Sequence, residues 1–155
     1  MGAQADQIIK VATSTEMETL GKKCAAVCPG DARIYLQGPL GAGKTTWVRG
    51  FLRGWQYTGT VKSPTYTLVE TYHIDGQNVH HLDLYRINDP DELESIGIRE
   101  YLGGTGICLV EWPEKGGNLL GKPDVMVVIA MHGLVRNVRL QAYSMIGTQL
   151  LAELG

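Results

Sequence analysis

Short apolar runs, set apart by turn residues and by stretches of helical spacing, give the chain its first reading. Gln7 to Val11 predicts a first strand. Thr13-Ser14-Thr15-Glu16 then fits a capping box, in which a hydroxyl and a carboxylate three residues on satisfy free N–H groups at a helix start. That helix runs to about Val27 with Leu20, Cys24 and Val27 inward, and Pro29-Gly30-Asp31 ends it. Ala32 to Gln37, β-branched and aromatic, predicts a buried strand, and Val48, Phe51 and Leu52 fall at helical spacing within Thr45 to Gly54. A loop from Gln56 to Pro64 follows. Thr65 to Ile74 and Val79 to Leu84 flank Asp75-Gly76, a hairpin signal. Asp89-Pro90-Asp91-Glu92 predicts a further helix, with Asp89 as cap, Pro90 in first position and Glu92 completing the box. Ile107 to Val110 reads as a short apolar strand, Asp124 to Ala130 and Asn137 to Tyr143 as two late strands, and Thr148 to Leu154 as a closing helix. Strands and helices alternate early and hairpins intrude later, which predicts an α/β fold with a mixed central sheet flanked by helices.

Between the second strand and its helix lies Gly38-Pro-Leu-Gly-Ala-Gly-Lys44-Thr45, a complete G-x-x-x-x-G-K-[ST] phosphate-binding loop. Strand, glycine loop and helix in that order are the context in which the motif carries a mechanism. Glycines let the backbone curl so that successive N–H groups, with the positive end of the next helix, cradle an anionic phosphate chain. Lys44 is placed to reach the β- and γ-phosphates, and the Thr45 hydroxyl to sit on Mg²⁺. The chain is therefore read as a nucleoside triphosphate binder.

Bulk properties narrow this without changing it. The 155 residues make one domain by length, 1–155, with a 44% hydrophobic and 19% charged composition typical of a soluble globular protein. Fourteen Lys and Arg against 16 Asp and Glu leave a net charge of −2, no footprint for tight, independent nucleic-acid binding, so any RNA contact is expected to run through a partner. Cys24, Cys28 and Cys108 lack paired metal spacing and read as core residues. No signal segment opens the chain and no run approaches the ~18 apolar residues of a membrane span, which predicts a cytoplasmic protein.

Holding Mg²⁺ takes an acidic residue at the end of an apolar strand, and two are candidates: Glu111 after Ile107 to Val110, and Asp83 after Val79 to Leu82. The more uniformly apolar strand favours Glu111 as metal ligand, with Asp83 orienting the attacking water or holding a metal-bound water; the residues leave that split open. Ser63 to Leu68 is either a γ-phosphate-sensing switch or a proline turn leading into a strand. Adjacent His80 and His81 face opposite sides of a strand and do not suit zinc. Trp112 reads as a core aromatic in preference to a nucleotide-facing lid.

Taken together, GPLGAGKTT from Gly38 to Thr46, SPTYTLV from Ser63 to Val69, HLDLYR from His81 to Arg86, GIREY from Gly97 to Tyr101 and VEWPE from Val110 to Glu114 resemble the bacterial TsaE (YjeE) family over nearly the whole chain. The resemblance implies a single-domain P-loop NTPase, an ATP- and Mg²⁺-dependent ATPase of tRNA threonylcarbamoyladenosine synthesis. Such an enzyme supports turnover of a transferase subunit and its dimerising partner and does not transfer the threonylcarbamoyl group itself. By position it implies phosphate binding at Gly41, Ala42, Gly43, Lys44 and Thr45, and Mg²⁺ at Thr45 and Glu111. Catalytic or nucleotide-handling roles fall on Lys44, Thr46, Asp83 and Trp112, and an adenine-side role on Thr13. Arg136 stands where the family often has an arginine before the last strand. Two other functions fit the loop: a small-molecule kinase, which needs an arginine-bearing lid, and a nucleotide-sensing adaptor, against which Asp83 and Glu111 argue.

Overall fold

A computed structural model describes residues 4–155. Strands β1 (Ala5–Val11), β2 (Arg33–Gln37), β3 (Val69–Ile74), β4 (Gln77–Asp83), β5 (Ile107–Glu111), β6 (Val125–His132) and β7 (Val135–Ala142) form one sheet of order β1-β7-β6-β2-β5-β4-β3. Its interior is parallel, β4 with β5, β5 with β2 and β2 with β6. Antiparallel partners close both edges, β3 on one side and β7 with β1 on the other. The mixed α/β sheet predicted from the sequence is the observed one.

Alternation along the central strands feeds two cores. Ile34, Leu36, Ile107 and Leu109 face helices α1 (Ser14–Val27), α2 (Lys44–Gly54) and α5 (Met145–Leu154). Tyr35, Cys108, Val110 and Leu82 face the opposite side, covered by α3 (Glu92–Ser95), α4 (Ile98–Gly103) and Leu120. Helices α1 and α2 meet almost backbone to backbone. A Cβ on Gly21 would lie 2.2 Å from the Trp47 carbonyl oxygen, and one on Gly50 would lie 2.0 Å from that of Glu18.

Local chemistry explains where the elements depart from the sequence reading. The first hairpin strand starts at Val69, not Thr65, because the Leu68 N–H closes a turn onto the Pro64 carbonyl at 2.7 Å and Leu68 takes a left-handed φ of 70°. The helix signalled at Pro90 starts two residues later, at Glu92, because the bonds of the expected box form in the turn before it: Glu92 Oε2 accepts from the N–H groups of Asn88 and Asp89, and Asp89 Oδ1 from that of Asp91. It is nevertheless split into α3 and α4 by Gly97, whose φ of 71° cannot continue a right-handed helix. The closing helix starts three residues earlier than Thr148, since Ser144 is its cap and accepts from the Gly147 N–H. Thr13 and Glu16 cap α1 as expected, with Glu16 reaching back to the Ala12 N–H; Val27 is only half-buried. Asp75 and Gly76, at φ 50° and 77°, make the tight turn between β3 and β4.

Gly50→Ala should lower the stability of the protein by about 1–3 kcal/mol, although alanine is the better helix former by ~1 kcal/mol, because the new methyl forces α1 and α2 apart. Urea unfolding measures this. A variant as stable as the parent would contradict the close helix contact.

Candidate nucleotide site

The loop after β2 is shaped by its own backbone. The Ala42 N–H bonds the Pro39 carbonyl at 3.1 Å, and Gly41 and Gly43 take φ of 78° and 108°, which a side chain would resist. Gly43 is the N-cap of α2 and has no side chain with which to occupy the N–H groups of the first turn. Those groups, the loop and the ends of β4 and β5 border a cleft of about 310 Å³, lined also by Ser63, Thr65, Tyr85 and Trp112. The cleft thus lies beyond the carboxyl ends of the parallel strands, where open α/β sheets gather their ligands.

Both candidate carboxylates stand there side by side. Asp83 and Glu111 are register partners on β4 and β5, and each is 3% exposed, so their few partners decide their orientation. Glu111 Oε2 accepts from the Thr45 hydroxyl at 2.9 Å and pairs with His81 Nε2 at 2.7 Å. Asp83 Oδ2 accepts from the Thr65 hydroxyl at 2.9 Å and faces Ser63 Oγ at 3.4 Å, while Oδ1 accepts from the Tyr85 N–H at 3.0 Å. Glu111 therefore ties to the start of α2, and Asp83 to the segment that follows α2. Ser63 to Leu68 forms the proline turn, and the hydroxyls of Ser63 and Thr65 contact an acid of the cleft.

His81 is fully buried, and with the proton on Nε2 it donates to Glu111, leaving Nδ1 without a partner among the described residues. His80 points to the other face, edge-on to the Tyr101 ring at 5.0 Å, so the two histidines diverge as a strand requires. Among the described residues no three His, Cys, Asp or Glu side chains are grouped to hold a metal.

Lys44 is buried, donates to the Gly38 carbonyl, and carries its ammonium 3.6 Å from the centre of the Trp112 ring. Desolvation lowers its pKa, and the nearby Glu111, Glu114 and Asp83 oppose that shift. Trp112 is more than the core aromatic read from the sequence. It packs on the second core, but it also lines the cleft, tilts against Tyr85 at 5.0 Å and holds a left-handed φ of 58°. A bulky residue in that conformation is unusual and is held there by its surroundings.

Gly41, Ala42, Gly43, Lys44, Thr45, Thr46, Asp83, Glu111 and Trp112 are all brought to this one cleft. Thr13 is not; it caps α1, one turn before Met17, whose methyl carbon would lie 3.2 Å from a Cβ at Gly43. Arg136 donates from Nε to the Ala42 carbonyl at 2.7 Å and from Nη2 to that of Gly41 at 3.1 Å. Sequence reasoning missed the His81 contact, and the only signal for it was its place two residues before Asp83 on the same strand face. The cysteines are unpaired, and burial raises the Cys24 and Cys108 thiols to about 12, which suits inert core residues.

The chain is similar to proteins of one family. The family model described as threonylcarbamoyl adenosine biosynthesis protein TsaE matches residues 11–138. The chain is 50% identical over 119 residues to the Haemophilus influenzae tRNA threonylcarbamoyladenosine biosynthesis protein TsaE, covering 77% of this chain and 75% of that one. It is 40% identical over 119 residues to the Bacillus subtilis protein of the same name, covering 76% and 73%. The crystal structure of Bacillus subtilis YdiB superposes with a TM-score of 0.83 at 28% identity, over 97% of this chain and 94% of that one.

If the His81–Glu111 pair is formed as described, His81→Leu and Glu111→Gln should be coupled. His81→Leu leaves a buried carboxylate short of a donor, at a cost of about 1–3 kcal/mol. In the Glu111→Gln background that cost should shrink, giving a coupling of about 1 kcal/mol in a double-mutant cycle of urea unfolding. Additive effects would contradict the pair.

Proposed function

The chain belongs to the TsaE family of threonylcarbamoyl adenosine biosynthesis proteins, and on that premise we propose that it is the Mg²⁺-dependent ATPase of this pathway in tRNA. Its hydrolysis of ATP supports a transferase subunit and that subunit's dimerising partner as they modify adenosine 37 of tRNAs reading ANN codons. All of residues 1–155 act as one ATPase domain in the cytoplasm, and tRNA contact is indirect. Among the described residues no helix is long and apolar enough to cross a membrane.

The observation that carries the reading is the Thr45–Glu111 contact at the mouth of a glycine loop that also presents Lys44. One hydroxyl and one carboxylate are hard oxygen donors. Mg²⁺ is characteristically held by one or two such protein oxygens together with substrate phosphates and water, so the donor set fits the ion. When bound, Mg²⁺ neutralises charge on the phosphate oxygens. The protein's own part is positional and electrostatic. The loop N–H groups and Lys44 bind the phosphates, with Gly41, Ala42, Gly43, Thr45 and Thr46 as the cradle. Asp83 orients the attacking water, Trp112 walls the cleft over Lys44, and Thr13, at the cap of α1 outside this cleft, is the residue proposed for the adenine side. Ser63 and Thr65, hydrogen-bonded to Asp83, form the segment through which the γ-phosphate state reaches a protein partner.

A kinase reading has less support, since Arg49, Arg99 and Arg139 pair with Glu18, Glu94 and Asp6 and form no lid over the cleft.

Phosphate release, measured with and without the transferase pair, separates the readings: an ATPase releases phosphate, faster with the pair present, whereas a sensing adaptor releases none. Within the site, Glu111→Gln should weaken nucleotide binding with Mg²⁺ more than without it, and Asp83→Asn should reduce turnover more than binding. The reverse pattern would overturn the assignment of roles.

A further inference from the structure

We infer that Arg136, which reaches the loop from the antiparallel wing of the sheet, is a positioning residue that sets the peptide orientations of the phosphate cradle. The inference rests on the reading that this loop binds nucleotide phosphates.

Arg136 lies on β7, paired with Val11 of β1 and Met131 of β6, so its backbone is fixed by neighbours on both sides. From there the guanidinium makes two bonds to consecutive loop carbonyls, Nε to Ala42 at 2.7 Å and Nη2 to Gly41 at 3.1 Å. A planar fork with fixed donors suits two adjacent acceptors in a way a single ammonium does not.

In a trans peptide the C=O and N–H point in opposite directions. The Ala42 carbonyl shares its peptide with the Gly43 N–H, so holding that carbonyl on the Arg136 side directs the Gly43 N–H away from Arg136. The Gly41 carbonyl shares its peptide with the Ala42 N–H, which closes the loop turn onto Pro39. Arg136 therefore fixes both peptides. The constraint matters because Gly41 and Gly43, at φ 78° and 108°, flank Ala42 with the most permissive backbone available, and peptides beside glycine rotate readily. A donor held in place before the ligand arrives needs no reorganisation on binding. The guanidinium acts through the backbone, with Nε and Nη2 given to the loop carbonyls.

The test is calorimetric titration of ATP, ADP and AMP into wild type, R136A and R136K, with the amide resonances of Gly41 and Gly43 followed in the nucleotide-free proteins. R136A should bind ATP and ADP about tenfold more weakly, the scale of losing charge-assisted hydrogen bonds, and AMP within about twofold of wild type. Its two glycine amides should shift or broaden as the peptides become free to rotate. R136K should recover only part of the loss. Wild-type ATP and ADP affinity in R136A, unchanged glycine resonances, or an equal weakening of AMP would overturn the inference while leaving the nucleotide reading intact. Wild-type protein that binds no ATP would overturn that reading and this inference together. If R136A does not fold, R136Q, whose amide can serve one carbonyl, carries the same comparison with an intermediate loss expected and wild-type affinity as the contrary result.

Discussion

Parallel pairing of β2 with β5 and of β5 with β4 puts Leu36, Glu111 and Asp83 in one row at the carboxyl edge of the sheet. Everything chemical in the cleft hangs on that register. Because side chains alternate, Glu111 emerges on the face covered by α2 and meets Thr45 in the first turn of that helix. His81 shares that face two residues before Asp83 and holds the same Glu111 oxygen from below. A slip of one residue would bring Val110 under Thr45 and turn Glu111 into the second core, where no donor awaits it. The apolar runs that specify the pairing therefore also specify the site.

Burial then gives these groups their leverage. Lys44 is held out of water between a carbonyl, an aromatic face and three carboxylates, and desolvation works against its charge. Electrostatic attraction to an incoming anion is stronger in such a place than in bulk water, because the medium screens it less. Two residues with left-handed backbone, Leu68 and Trp112, lie next to these acids in the fold or in the chain. The Leu68 carbonyl accepts from the Asp83 N–H at 3.0 Å, and the Trp112 N–H bonds the Leu36 carbonyl at 3.3 Å, so each strained residue adjoins one of the acids or its strand. Strain of this kind persists only where neighbours over-determine it, and it gathers at sites that bind or switch.

Much of this was legible in the sequence, for identifiable reasons. The loop glycines, Lys44 and Thr45 carry their mechanism in their spacing, and Ile107 to Glu111 is apolar enough to be recognised as a central strand ending in an acid. The cap at Thr13 and the bonds around Asp89 were readable because they depend on side chains close in sequence. Features set by tertiary contact were not. Nothing in the letters of Ser63 to Leu68 shows that the hydroxyls of Ser63 and Thr65 hold Asp83. His81 and Arg136 find partners 30 and 94 residues away, distances at which only topology decides who meets whom. Trp112 was weighed between core and cleft, and its position at the strand's end puts it in both.

The most direct test of the account is calorimetric titration of Mg²⁺-ATP into the wild-type protein and into a folded Lys44→Ala variant. The wild type should show saturable one-to-one binding and the variant a loss of at least about 100-fold, the scale on which a buried electrostatic contact acts. Near-equal binding by the two proteins, with the fold of the variant intact, would contradict it.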